Sequence, residues 1–221
     1  MSRLQDILWY IGLGTEGTSD EVAIEYSSYK PKAKDLKKLE SHRDYLKSIV
    51  NEENNRLNSF DTKTTQLVAQ TGVIFALLSL FVPLVIDKIE GFYLKIIVLI
   101  PLFLAFLFYL RTIQNAAKNF NVKKFKYGKS LPTTVINHRD TTIEEFLIEE
   151  IQDLIFSAEK NFQTNNSKAN NLIQAYNSFR VANVLAALLG ILLCASILFT
   201  KPKKERLTIE SPIRIESVNS N

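Results

Sequence analysis

The chain has 221 residues and a formal net charge of +4. Its mean hydropathy is zero only because long runs of Leu, Ile, Val, Phe and Ala cancel a remainder rich in Lys, Glu and Asn. That length holds one domain built around its apolar segments, and excludes a membrane anchor joined to a separate full-sized enzyme. The lone cysteine, Cys194, rules out a disulfide within the chain, leaves the redox compartment unread, and is expected to serve packing.

Residues 1–34 form a segment of their own. Leu4, Ile7, Leu8 and Ile11 share one face of a short amphipathic helix, with Trp9 and Tyr10 beside it. The preferred role is to cap a helical bundle; contact with a membrane surface is the alternative. No small-residue cleavage site follows Ile7–Leu13, so the first apolar span is expected to act as a signal anchor. Gly12-Leu-Gly14-Thr-Glu-Gly17 matches the dinucleotide pattern G-x-G-x-x-G. No strand–helix–strand unit surrounds it, and a turn is the preferred reading.

Residues 35–66 predict a cytoplasmic helix. Leu36, Leu39, Leu46, Val50, Leu57, Phe60 and Leu67 fall on alternating three- and four-residue steps, with Arg43, Glu53 and Thr64 interrupting the same seam. With no Pro or Gly between Ala33 and Gln70, this helix should run unbroken into span one, Leu67 to Ile86. Span two follows a tight polar turn and runs from Phe92 to Leu110. Residues 67–110 are thus a transmembrane hairpin, each run being about the 20 residues that a roughly 30 Å hydrocarbon core requires. Lys95 is placed to snorkel, and Tyr93 and Tyr109 mark the two ends. Span two is bulky throughout and reads as facing lipid.

Residues 111–142 form a basic cytoplasmic linker. Its run Asn119-Phe-Asn-Val-Lys-Lys-Phe-Lys-Tyr-Gly-Lys129 interleaves Lys with aromatics. Lys118, Lys123, Lys124, Lys126 and Lys129 serve as an orientation anchor, as contacts for anionic headgroups, or as ligands for a phosphate. No nucleic-acid fold accompanies them, so nucleic acid is not an expected partner. His138-Arg139-Asp140 has the letters of a kinase catalytic loop without its companions, and Asp140 is better read as a helix-start residue. Thr142-Ile-Glu-Glu145 reads as a capping box opening a cytoplasmic helix over residues 143–180. Leu147, Ile151, Leu154, Ala158, Phe162, Ala169, Leu172 and Tyr176 give its apolar seam, and the Asn-rich stretch Thr164–Asn171 is a candidate break. Glu144, Glu145, Glu149, Glu150 and Asp153 form an acidic face, read as solvated rather than metal-binding because no histidine stands at the needed spacing. The sequon Asn165-Asn-Ser167 is discounted because it falls on the expected cytoplasmic side.

Residues 181–200 form span three, and residues 201–221 a disordered tail. Ala182, Ala186, Gly190 and Cys194 recur every fourth residue, the spacing at which small side chains let helices approach closely in lipid. Gly72 and Ala76 give span one a shorter version. The partner is either span one of the same chain or a second copy. Lys and Arg crowd residues 1–66 and 111–180, which the positive-inside rule places in the cytoplasm, with the tail outside. Lys201-Pro-Lys-Lys-Glu-Arg206 runs against that rule.

The expected protein is therefore an all-α integral membrane protein of the plasma membrane. It has three transmembrane helices, and long cytoplasmic helices continuous with spans one and three. Phe60-Asp61-Thr62-Lys63 leads into the two-span hairpin, and a helix carrying Lys160, Ala169 and Tyr176 leads into a third span. This layout over residues 35–200 resembles the Pycsar-type transmembrane effectors and SLATT proteins of prokaryotic nucleotide-signalled antiviral systems. The resemblance implies a homo-oligomer that perturbs the membrane when a cytoplasmic signalling partner or small ligand triggers it, and it carries over no ligand-binding residue. The alternative is a membrane-anchored scaffold that recruits a soluble partner through Leu147 and Ile151. No nucleophile–base pair, metal cluster or phosphate loop supports an enzyme, and no cofactor is expected.

Overall fold

The computed structural model describes residues 8, 10–12, 29–31, 35–89, 91–121, 127, 128, 136 and 139–199. Four α-helices are described: α1 (Leu36–Ser79), α2 (Phe81–Lys88), α3 (Phe92–Ala117) and α4 (Ile143–Phe199). A 3-10 turn, Lys118–Phe120, closes α3. Three helical segments are long and apolar enough to cross a membrane.

Helix α1 starts at Asp35, whose carboxylate accepts the backbone N–H groups of Lys37 and Lys38 at 3.1 and 3.4 Å. It runs unbroken into span one, as the absence of Pro and Gly predicts, and stops at Ser79. Pro83 explains the stop: its ring has no N–H to return to Ser79 and would crowd that carbonyl. The chain tightens at Leu80, whose N–H bonds Leu77 O at 3.1 Å, and resumes as α2. The ammonium of Lys95, on α3, donates to Ile86 O at 2.7 Å and so caps a carbonyl near the end of α2.

The capping box at the start of α4 forms as read, with Thr142 N to Glu145 Oε2 and Glu145 N to Thr142 Oγ1 both at 3.4 Å. The helix then continues for 57 residues, roughly 85 Å at 1.5 Å per residue. It does not break at Thr164–Asn171. The side chains of Asn165, Asn166 and Asn171 find partners on other elements, which removes their usual reason to leave a helix.

Helices α1 and α4 run in the same direction and α3 returns between them. Their buried positions follow one rule. On α4 the seam is Leu147, Ile151, Leu154, Ala158, Asn161, Asn165, Lys168, Leu172, Ala175, then Ala182, Leu189, Leu193 and Ser196. On α3 it is Val98, Leu102, Ala105, Tyr109, Thr112, Ala116 and Asn119. On α1 it passes through Leu39, Glu53, Thr64, Leu67, Thr71 and Leu78. These are the alternating three- and four-residue steps of a heptad, the geometry of helices packed as a coiled coil.

One sequence expectation is corrected on α4. The α4 seam leaves the expected phase after Ala158, so that Phe162 is 42 % exposed while Asn161 is 3 % exposed. Span two carries both a buried seam and a bulky exposed face: Val98, Leu102, Ala105 and Tyr109 are buried, whereas Ile97, Ile100 and Phe103 are exposed. Pro101 sits inside α3 among these buried residues.

Candidate functional site

The molecule divides along its length. Towards one end the seam is apolar: Leu78, Val85, Ile89, Val98, Leu102, Ala105, Leu189 and Leu193 pack together. Towards the other end Leu39, Leu147 and Ile151 form a small terminal core. Much of the seam between them is polar.

That polar layer is built by three sets of contacts. Asn165 donates Nδ2 to the backbone carbonyl and to Oε2 of Glu53, both at 2.8 Å. Glu53 also takes Arg56 at 2.7 Å, and the Arg56 guanidinium lies 5.8 and 5.6 Å from the ring centroids of Phe60 and Phe162. One step on, Lys168 pairs with Asp61 at 2.8 Å and stands 5.8 Å from the centre of the Tyr127 ring. Beyond it Asn119 donates to Thr64 Oγ1 at 3.1 Å and to Lys168 O at 3.2 Å, and accepts from Asn171 Nδ2 at 3.0 Å. At the boundary with the apolar end, Tyr109 donates to Asn183 Oδ1 at 2.7 Å. Polar seam residues lower stability relative to apolar ones but select one register. A one-heptad slip of α4 would set Glu53 against Ala158 or Leu172 instead of Asn165.

Two loop segments dock on this layer. Gly128 N donates to Asn161 Oδ1 at 3.0 Å, and a Cβ there would lie 2.7 Å from Ser157 Cα, so only glycine fits without displacing the helix backbone. Burial pushes the Tyr127 phenol above its ordinary pKa, which keeps it neutral. Gly12 has φ +77°, and a Cβ there would collide with Ser178 Oγ. Its carbonyl accepts from Asn115 Nδ2 at 3.2 Å and Arg111 Nε at 3.4 Å. Gly12, the described glycine of the G-x-G-x-x-G pattern, thus sits in a turn seated on the bundle. Tyr29 bonds His42 Nδ1 at 2.7 Å and, through its carbonyl, Gln152 at 3.1 Å.

Between α1 and α4, beside Tyr127 and Gly128, lies a half-open cleft of about 530 Å3. Val50, Leu57 and Leu154 supply its apolar wall, and Asn54, Asn58, Ser157 and Asn161 its polar one. Among the described residues, none of those lining it is charged.

The expected packing residues separate. Ala182 is fully buried and Ala186 packs against the apolar core. An added Cβ at Gly190 meets nothing within 4 Å, and Cys194 is exposed, so neither packs within the single chain. A step of four residues on a helix of 3.6 per turn advances by roughly 40°, so a stripe spaced by fours rotates off a heptad seam. After Ala186 the seam continues through Leu189 and Leu193, and Gly190 and Cys194 turn away from it. Gly72 also meets nothing within 4 Å, and Ala76 is exposed. Spans one and three therefore do not meet within the chain through Gly72, Ala76, Gly190 and Cys194.

Among the basic residues, Lys118 donates to Asn115 Oδ1 at 3.0 Å. Lys123, Lys124, Lys126 and Lys129 lie outside the described residues, as do His138, nearly all of residues 1–34 and the tail over 201–221. On the acidic face Glu150 is drawn into a 2.8 Å ion pair with Lys47 of α1 rather than left to solvent. Asn165, the first residue of the sequon, is fully buried. Leu147 and Ile151 are buried against Leu39 and offer no surface to a partner. Sequence reading missed the pairing of Asn119, Asn165, Lys168 and Asn171. The signal was present, since Asn161, Asn165 and Lys168 continue the steps begun at Leu147. Comparison with family models, with curated proteins and with solved structures finds no match.

Proposed function

We propose that this chain is a non-enzymatic multi-pass protein of the plasma membrane, an oligomeric effector whose polar helical half gates its apolar half. The apolar ends of α1 with α2, α3 and α4 cross the bilayer, the polar half faces the cytoplasm, and the tail after α4 emerges outside. The observation that carries the reading is the continuity of α4. One unbroken helix joins the polar layer at Asn165 and Lys168 to the outward-facing Gly190 and Cys194. A cytoplasmic signal that binds one arrangement of α1 and α4 better than another shifts the equilibrium by that difference in affinity. The cleft beside Tyr127 and Gly128 is lined by residues of both helices, so a ligand held there would touch both. A role in antiviral defence follows from the resemblance in layout. A scaffold that recruits a soluble partner would need a face other than Leu147 and Ile151.

The test is membrane potential in cells expressing the intact protein beside Gly190→Leu. That substitution enters open space, so the fold of the single chain is expected to survive it. Depolarisation by the intact chain, lost in an inserted Gly190→Leu variant, is expected. Depolarisation of equal size in the variant contradicts action through this face.

A further inference from the structure

Arg111 is the first residue after the apolar run of α3, and Arg180 the last before the apolar run of α4. The contacts set both at one height. Tyr109 bonds Asn183, and Gly12, which touches Ser178, takes hydrogen bonds from Arg111 and Asn115. Arg111 is half-buried, and its one hydrogen bond is from Nε to Gly12 O. Among the described residues no carboxylate lies within ion-pair distance of Arg111 or Arg180. A half-buried guanidinium with no counter-ion among the described residues is costly unless an anion reaches it.

The local structure holds the cations ready for one. Gly12 O is fixed by a backbone turn with φ +77°, and it anchors Arg111 through Nε, which leaves the two terminal nitrogens of the guanidinium unengaged. It also anchors Asn115, whose Oδ1 takes the Lys118 ammonium at 3.0 Å. Arg111 and Lys118 thus stand on one face of α3, about 10 Å apart along the axis at 1.5 Å per residue. A guanidinium with two terminal nitrogens available matches the oxygens of a phosphate in a way an ammonium cannot.

We propose that Arg111, supported by Lys118 and Arg180, is a phosphate-binding seat that takes the phosphodiester of an anionic lipid headgroup. The inference rests on the reading that the apolar ends of these helices lie in a bilayer. The edge of the apolar zone is then the depth at which headgroup phosphates are met, and each basic residue there contributes on the order of 1 kcal/mol of attraction. The N-terminal segment acts through Gly12 as the positioning element of this seat.

The experiment uses the full chain purified in neutral detergent. Phosphatidylglycerol, phosphatidylcholine and inorganic phosphate are added separately, and retained lipid is read by native mass spectrometry and stability by thermal midpoint. Phosphatidylglycerol is expected to be retained and to raise the midpoint, phosphatidylcholine to do neither, and Arg111→Gln to weaken retention about fivefold, the factor that ~1 kcal/mol represents. Arg111→Lys should weaken it less. Arg139→Gln, at an exposed pair with Asp140, should leave it unchanged. Arg180 is exposed and has no ion pair among the described residues, so Arg180→Gln tests the seat even if Arg111→Gln fails to fold. Stabilisation by inorganic phosphate equal to that by the lipid, and lost in Arg111→Gln, supports the seat with free phosphate as occupant. Equal retention of the two lipids, or retention untouched by Arg111→Gln and Arg180→Gln, overturns it. A chain that fails to sediment with membranes instead contradicts the membrane reading.

Discussion

At Asn119 a single amide side chain ties three segments together. It reaches Thr64 on α1 and both Lys168 and Asn171 on α4 from the end of α3. A buried amide of this kind contributes little while satisfied, but its loss strands its partners, and each stranded buried group costs about 1–3 kcal/mol. Asn119→Leu should therefore destabilise the chain by about 2–3 kcal/mol, mostly through the unpaired Asn171. Asn58→Leu, at an exposed position on α1, should stay within about 0.5 kcal/mol of the original. Denaturant unfolding in detergent distinguishes the two, and equal effects would mean that the polar layer does not hold the bundle together.

Among the elements, how much can be read from the sequence depends on which residues fill the seam. On α1 the apolar residues dominate, and the phase read from Leu39, Leu46, Val50, Phe60 and Leu67 passes through Glu53 and Thr64, which are buried. On α4 the apolar phase was legible up to Ala158 and then lost. Hydrophobicity identifies a seam only where the seam is hydrophobic, and here Asn161, Asn165 and Lys168 hold the buried positions. Their partners on α1 and α3 are distant in sequence, so composition alone reads them as a break. The hairpin, the capping box at Thr142 and the three apolar runs were legible because each is a local signal. The seat around Gly12 and Arg111 was not, because it joins residues 99 apart in sequence. The continuity of α4 can be tested on its own. Ile173 is 42 % exposed, so Ile173→Pro disturbs the helix more than the core, at about 3 kcal/mol or more. Hydrogen exchange should then speed up over residues 147–170 while residues 181–199 keep their protection. A uniform loss of protection would show one cooperative unit rather than two coupled halves.

Over the whole molecule, one seam folds the chain and the remaining faces are left for other contacts. The heptad uses Ala182, Leu189 and Leu193 internally, and it leaves Gly190, Cys194, Gly72 and Ala76 pointing outward. Apolar side chains gain nothing by leaving lipid for one another, so close approach at small residues is what favours helix association there. We propose that copies of the chain meet on this outward face, which α4 links to the polar layer. The lone Cys194 tests it without added probes, because a disulfide needs Cα atoms within about 7 Å of each other. Mild oxidation of native membranes containing the intact chain, followed by non-reducing electrophoresis, is the measurement. A cross-linked dimer that disappears in Gly190→Leu is the predicted result. No dimer at any oxidant level, with Cys194 still reactive to a membrane-permeant maleimide, or a dimer undiminished in Gly190→Leu, would contradict the account.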